Sequence, residues 1–161
     1  MRFLFCFLLA MMIAVQPAVA ASCYTPDQYR AEQAIRFHTR LMVVGMLCQG
    51  MLGRSAYADY QHFTTRNQNV IHEQENRLIH YFKQVRKPNP ERALHSFRTD
   101  LANVIARQAS ASAIRFCQTY AGQWRQAKTM QPQDFKGWIA AVTWSKPAET
   151  TNPVCTTRSK I

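Results

Sequence analysis

The chain has 161 residues, with 20 Lys and Arg against 9 Asp and Glu for a formal charge of +11, and five cysteines. That length suits one domain with its own core, and the charge favours an anionic partner. The sequence holds no CxxCH, HExxH or GxSxG and no cysteine pair at structural-zinc spacing, which removes the motif-bearing classes of c-type cytochrome, zinc protease and serine hydrolase.

Met1-Arg2, the apolar run Phe3 to Val15, Gln16-Pro17 and the small triplet Ala18-Val19-Ala20 follow the order of a secretory signal peptide. The apolar run is well short of the ~20 residues that span a bilayer as a helix. Residues 1–20 are therefore expected to be removed, leaving a mature chain without a transmembrane span in the periplasm or outside the cell. Lipidation at Cys23, after Ala21-Ser22, is the alternative, and it would leave an odd number of thiols. Cleavage takes away Arg2 and Cys6, so the mature chain carries +10 and four cysteines. In that compartment the anionic partner is an envelope component or an acidic protein, and no nucleic acid is expected.

Thr25-Pro26-Asp27-Gln28 combines a capping threonine, a first-turn proline and a capping-box glutamine, a strong helix start. Ala31, Ala34, Ile35, His38, Leu41, Met42, Gly45, Cys48 and Leu52 recur at helical steps, and Gly53 is placed to end the helix. A second helix, capped by Ser55, carries Tyr60, Phe63, Val70, Ile71, Leu78, Phe82 and Val85 until Lys87-Pro88. A bend is expected near Asn67-Gln68-Asn69, because an unbroken helix of that length would run ~45 Å. Asn89-Pro90-Glu91 opens a third helix with Leu94, Phe97, Leu101, Val104 and Ile105 on its core face. After a weak break at Ser110-Ala111-Ser112, a fourth carries Ile114, Cys117, Tyr120, Ala121 and Trp124 to about Lys128. Asp134 to Val142 reads as a short fifth helix, and residues 145–161 as an irregular tail.

The expected fold class is all-α: an up-down bundle of four main helices plus a short C-terminal helix, over residues 21–144. Four cysteines in an exported chain read as two disulfides. Cys23 and Cys48 stand ~37 Å apart along one intact helix and cannot bond. In an up-down-up-down bundle Cys48 and Cys117 share one end, so the predicted pairs are Cys48–Cys117 and Cys23–Cys155, the second pinning the tail across the N-terminus.

Few constellations point to chemistry. His38, Met42 and Met46 form a ladder at four-residue steps, the donor types that suit copper or haem iron, but core packing is the preferred account because no facing ligand is identified. His72, Glu75, Asn76 and His80 do not share one helical face, and Glu73 with Arg77 reads as a surface ion pair. Lys83, Arg86 and Lys87, beside Tyr81-Phe82, and Arg125 and Lys128, beside Trp124, place cations next to rings, and Lys83, Arg86, Lys87, Trp124, Arg125 and Lys128 are the candidate binding residues. No catalytic residue, metal site or cofactor is assigned, and an enzyme is the minority expectation. The alternatives are a small haem- or copper-binding bundle and a hydrolase without a recognised site.

The run Glu32-Gln33-Ala34-Ile35-Arg36-Phe37-His38-Thr39-Arg40-Leu41-Met42-Val43-Val44 followed by Cys48, with Phe116-Cys117-Gln118-Thr119-Tyr120, resembles a group of small exported proteins of alphaproteobacteria without assigned function. The resemblance covers residues 23–120. It implies an exported helical protein with paired cysteines and transfers no binding or catalytic residue.

Overall fold

The computed structural model describes residues 23–143 and 150–155. The expected signal peptide, its cleavage site and Cys6 lie outside the described residues, as do 144–149 and 156–161 of the tail. Seven helices follow in order: α1 (Pro26–Leu47), α2 (Gln49–Leu52), α3 (Ala56–Arg66), α4 (Gln68–Gln84), α5 (Pro90–Ala111), α6 (Ala113–Thr129) and α7 (Pro132–Ala141). They form the all-α, disulfide-stapled bundle that the sequence predicts. The arms are α1, α3 with α4, α5, and α6 with α7 as its short continuation, and α1 touches every other arm.

Capping chemistry sets most of the boundaries. Thr25 and Gln28 complete a capping box, and the Asn89 side chain accepts from the Arg92 amide at 2.8 Å ahead of Pro90. Ser112 accepts from the Arg115 amide at 3.4 Å, turning the predicted weak break into the start of α6. The Asp134 carboxylate accepts from the Gln131 amide at 2.9 Å beside Pro132, which moves the start of the last helix two residues ahead of the prediction. Ser55 makes no capping bond and donates instead to Asp59. The first predicted helix stops at Leu47, because Cys48 leaves helical geometry at φ −102°, ψ 16° and α2 restarts as a single turn that Gly53 ends at φ 100°.

The second arm breaks where the run of polar residues predicts a bend. Asn67 is fully buried, and its Nδ2 donates both to the Phe63 carbonyl at 3.0 Å and to the Met130 carbonyl at 3.3 Å. Met130 lies in the break between α6 and α7, so one side chain ties together the interruptions of two neighbouring arms. Arg66 reinforces the link by donating to the Lys128 carbonyl at 2.8 Å.

As the central helix, α1 buries 13 of its 22 residues, including the polar Gln28, Glu32, His38 and Thr39. Around it, Phe37, Phe63, Phe135 and Trp138 from three arms form an aromatic cluster with centroids 4.6 to 6.1 Å apart. Gly45 allows α6 to close on α1: a Cβ there would lie 3.1 Å from the Trp124 ring and 3.2 Å from the Ala56 carbonyl oxygen.

Both predicted disulfides are formed. Cys48–Cys117 joins the first and fourth arms at one end of the bundle, with Cα atoms 5.5 Å apart. Cys23–Cys155 joins the N-terminal segment to the tail at the other, with Cα atoms 5.0 Å apart, so Cys23 carries no free thiol. The segment 150–155 is a docked strap. Tyr24 bridges Val154 in parallel, its amide donating to the Pro153 carbonyl at 2.8 Å and its carbonyl accepting from the Cys155 amide at 2.8 Å.

Candidate functional site

The strap is held by a buried carboxylate that pattern reading passes over. Glu32 is fully buried and accepts from Arg36 Nε at 2.6 Å, from the Thr151 amide at 2.9 Å, and from the Thr151 and Thr150 hydroxyls at 3.0 and 3.1 Å. An ion and its hydrogen bonds withdrawn from water in this way are stable only because each lone pair is satisfied. The i, i+4 spacing of Glu32 and Arg36 was the one sequence signal, and it is indistinguishable from that of a surface pair.

Beside the strap a cleft of about 610 Å³ opens between the end of α4 and α5. Its walls include Tyr24, Tyr81, Phe82 and Phe97, and its rim includes Lys87 and Asp100. Tyr24 and Tyr81 pack with ring centroids 4.5 Å apart. Burial, and after it the Glu32 charge, raises both hydroxyls above the ordinary tyrosine pKa of 10, so they stay protonated at neutral pH and act as hydrogen-bonding groups.

The six candidate binding residues divide into separate groups. Lys83, Arg86 and Lys87 stand exposed at the strap end, Lys83 at 4.0 Å from Glu91. There the Arg86 amide donates to the Lys83 carbonyl and the Lys87 amide to the Phe82 carbonyl, a Schellman turn that holds Arg86 at φ 56°, where glycine is usual. On α6, Arg125 is exposed and Lys128 pairs with Asp59 at 3.0 Å. Trp124 departs from the expectation: it is 3% exposed because its ring fills the space over Gly45, so it belongs to the core and presents nothing to a ligand.

The His38 ladder does not converge on one point. His38 is 2% exposed, stacks on Tyr60 at 5.3 Å and shares a 3.0 Å hydrogen bond between Nε2 and the Thr64 hydroxyl. Met42 is half-buried, whereas Met46 is exposed beyond it. His72 faces Glu75 at 3.2 Å and His80 faces Gln84 at 3.2 Å. Among the described residues no group of three or more His, Cys, Asp or Glu side chains is placed to hold a metal.

Burial, with the nearby Arg98 adding repulsion, lowers the His38 pKa from 6.5 to about 3. The unfolded chain takes up this proton near pH 6.5 and the folded chain refuses it until about pH 3. Stability is therefore full above that window and falls as the pH drops through it, by about 1.4 kcal/mol per pH unit. Urea unfolding between pH 7 and pH 4 should show this slope, and His38→Gln should flatten it; equal slopes in both proteins would place the titration elsewhere.

Charge is distributed unevenly over the fold. Of the eight carboxylates among the described residues, seven already have partners: Asp27 with Arg30, Glu32 with Arg36, Asp59 with Lys128, Glu73 with Arg77, Glu75 with Arg98, Glu91 with Lys83, and Asp134 with the Gln131 amide. Only Asp100 makes no such contact among the described residues. Arg86, Lys87 and Arg92 at the strap end, Arg54, Arg107 and Arg115 at the Cys48–Cys117 end, and Arg125 and Lys136 between them are exposed with side chains that pair with no described residue.

No protein-family model matches the chain, and neither a curated protein nor a solved structure matches it.

Proposed function

We propose that this chain is an exported, non-enzymatic binding protein of the periplasm or the cell exterior, whose basic surface engages an anionic envelope component or an acidic protein. One observation carries the reading. Native contacts engage seven of the eight described carboxylates and leave eight exposed cations among the described residues unpaired, so the excess charge is presented outward. Two disulfides support an oxidising compartment, no described helix is long and apolar enough to cross a membrane, and the resemblance to small exported proteins of alphaproteobacteria points the same way. Arg86 adds support, since a long cationic side chain occupies a backbone position that glycine fills with less strain.

Salt dependence tests the reading. Exposed charges are screened over ~10 Å at 0.1 M salt and ~3 Å at 1 M. Retention on phosphatidylglycerol vesicles, lipopolysaccharide or an acidic polymer should therefore fall at least about tenfold between 0.05 and 0.5 M salt. Absence of retention on all three at low salt, or retention indifferent to salt, would overturn it.

A further inference from the structure

The six large hydrophobic side chains that stand exposed among the described residues all lie toward one end of the bundle. They are Met46, Leu47, Met51, Tyr57, Val104 and Ile114, with Leu47 51% and Ile114 68% exposed. Met46, Leu47 and Met51 bracket Cys48. Ile114 is one helical turn from Cys117, and the disulfide brings the two cysteines' Cα atoms to 5.5 Å, so Ile114 belongs to the same surface. Scattered apolar residues on a surface need no explanation, but a group gathered at one end marks a place of contact.

The unpaired charge that adjoins Met46, Leu47, Met51 and Ile114 in the chain is of one sign. Arg54 follows α2, Arg107 is one turn beyond Val104, and Arg115 adjoins Ile114; all three are exposed and pair with no described residue. The stretches nearest this end, residues 41–58 and 105–120, contain no Asp or Glu. Asp59, just outside the first, is engaged by Lys128 at 3.0 Å. The carboxylates Asp27, Glu32, Glu73, Glu75 and Glu91 belong to the arms toward the opposite, strap end, and the unpaired Asp100, one turn before Val104, lines the cleft beside the strap.

We infer that the Cys48–Cys117 end docks on an anionic lipid bilayer, with Met46, Leu47, Met51 and Ile114 entering the headgroup boundary and Arg54, Arg107 and Arg115 meeting lipid phosphates. The inference rests on the proposed anionic partner and names its class and the surface that meets it. Apolar side chains carried on helix ends and a turn project from the fold, which suits shallow insertion of about 5–10 Å into the boundary between headgroups and acyl chains. Basic residues near an anionic leaflet add to that insertion, and the absence of carboxylates removes the opposing repulsion. Flexible methionine side chains adapt to a fluid surface. Docked this way, α1 stands its length of ~33 Å away from the lipid, and the cleft beside the strap faces the aqueous side.

The test is co-sedimentation of the oxidised chain beginning at Ala21, which contains every described residue, with vesicles of phosphatidylglycerol and phosphatidylcholine and with pure phosphatidylcholine. Binding should require phosphatidylglycerol. The combined change Met46→Ser, Leu47→Ser, Met51→Ser and Ile114→Ser should weaken it at least about tenfold while thermal unfolding stays cooperative, because the four side chains are exposed. Arg54→Gln with Arg107→Gln and Arg115→Gln should weaken it by a similar factor, and Arg86→Gln with Lys87→Gln and Arg92→Gln by less. If the strap-end changes abolish vesicle binding and the disulfide-end changes do not, the docking end is wrong and the anionic reading stands. If the wild type binds no vesicle but is retained by an acidic polymer, the lipid class is wrong. If it forms a dimer in sedimentation equilibrium that the serine changes dissolve, without binding vesicles, the face belongs to a second copy. No salt-sensitive retention on either support would remove the underlying reading as well.

Discussion

Replacing Glu32 with alanine is expected to destabilise the fold by about 3–5 kcal/mol, the range for breaking a buried ion pair by removing one partner. The Glu32 side chain is fully buried and that of Arg36 is 11% exposed, so the guanidinium would lose this carboxylate partner in a place where water replaces it poorly. The Thr151 amide and hydroxyl would lose their acceptor at the same time, whereas the Thr150 hydroxyl keeps the Asn152 carbonyl at 2.7 Å. Glu32→Gln retains a side-chain acceptor and should cost less, about 1–3 kcal/mol. Urea unfolding gives the energies, and amide exchange at Thr151 reports the strap locally. Cys23–Cys155 still tethers the chain four residues further on, so strap exchange should accelerate while the tail remains attached. Unchanged unfolding in Glu32→Ala would mean that the disulfide and the Tyr24 bridge suffice to hold the strap.

Removing Cys48–Cys117 as the pair Cys48→Ala and Cys117→Ala is expected to cost about 4 kcal/mol from loop entropy. Cys23–Cys155 closes a longer loop, 132 residues of separation against 69, yet each doubling of loop length adds only about 0.6 kcal/mol. Packing reverses that small advantage. Cys48 and Cys117 are buried, whereas Cys155 is exposed and Cys23 half-exposed, so the inner pair loses packed sulfur as well as the constraint. The expected order in urea is wild type, then the strap-end pair, then the inner pair as the least stable. The opposite order would show that loop length outweighs packing. The inner pair also joins the first and fourth arms where the exposed apolar side chains gather, so its loss should weaken vesicle binding beyond what instability explains.

Each local feature that sequence reading located has a short-range cause. The capping box of Thr25 and Gln28, the Asn89-Pro90 start and the Ser112 break all act between residues at most four apart. Asn67 was visible as a polar interruption, but its bond to Met130 spans 63 residues and could not be seen from either side alone. Trp124 admitted two readings, a position in the apolar period of the fourth helix and a ring beside a cation, because such a ring reads the same on a surface and in a core. The glycine facing it, Gly45, lies on another arm. Glu32 was missed for a similar reason: its hydroxyl and amide donors arrive from the chain's far end.

By itself the sequence determined the main helices, the breaks near Asn67 and Ser112, the excess of positive charge and, through the alternation of helix direction, which cysteines meet. These follow from capping geometry, proline and glycine stereochemistry and hydrophobic period, all of which act within a few residues of chain. Only the tertiary structure decided which polar groups go inside, which cations are left without a carboxylate, and that the exposed apolar side chains gather at one end. Burial and ion pairing depend on which arm faces which, and α1, in contact with every other arm, buries the polar Gln28, Glu32, His38 and Thr39 along with its apolar residues.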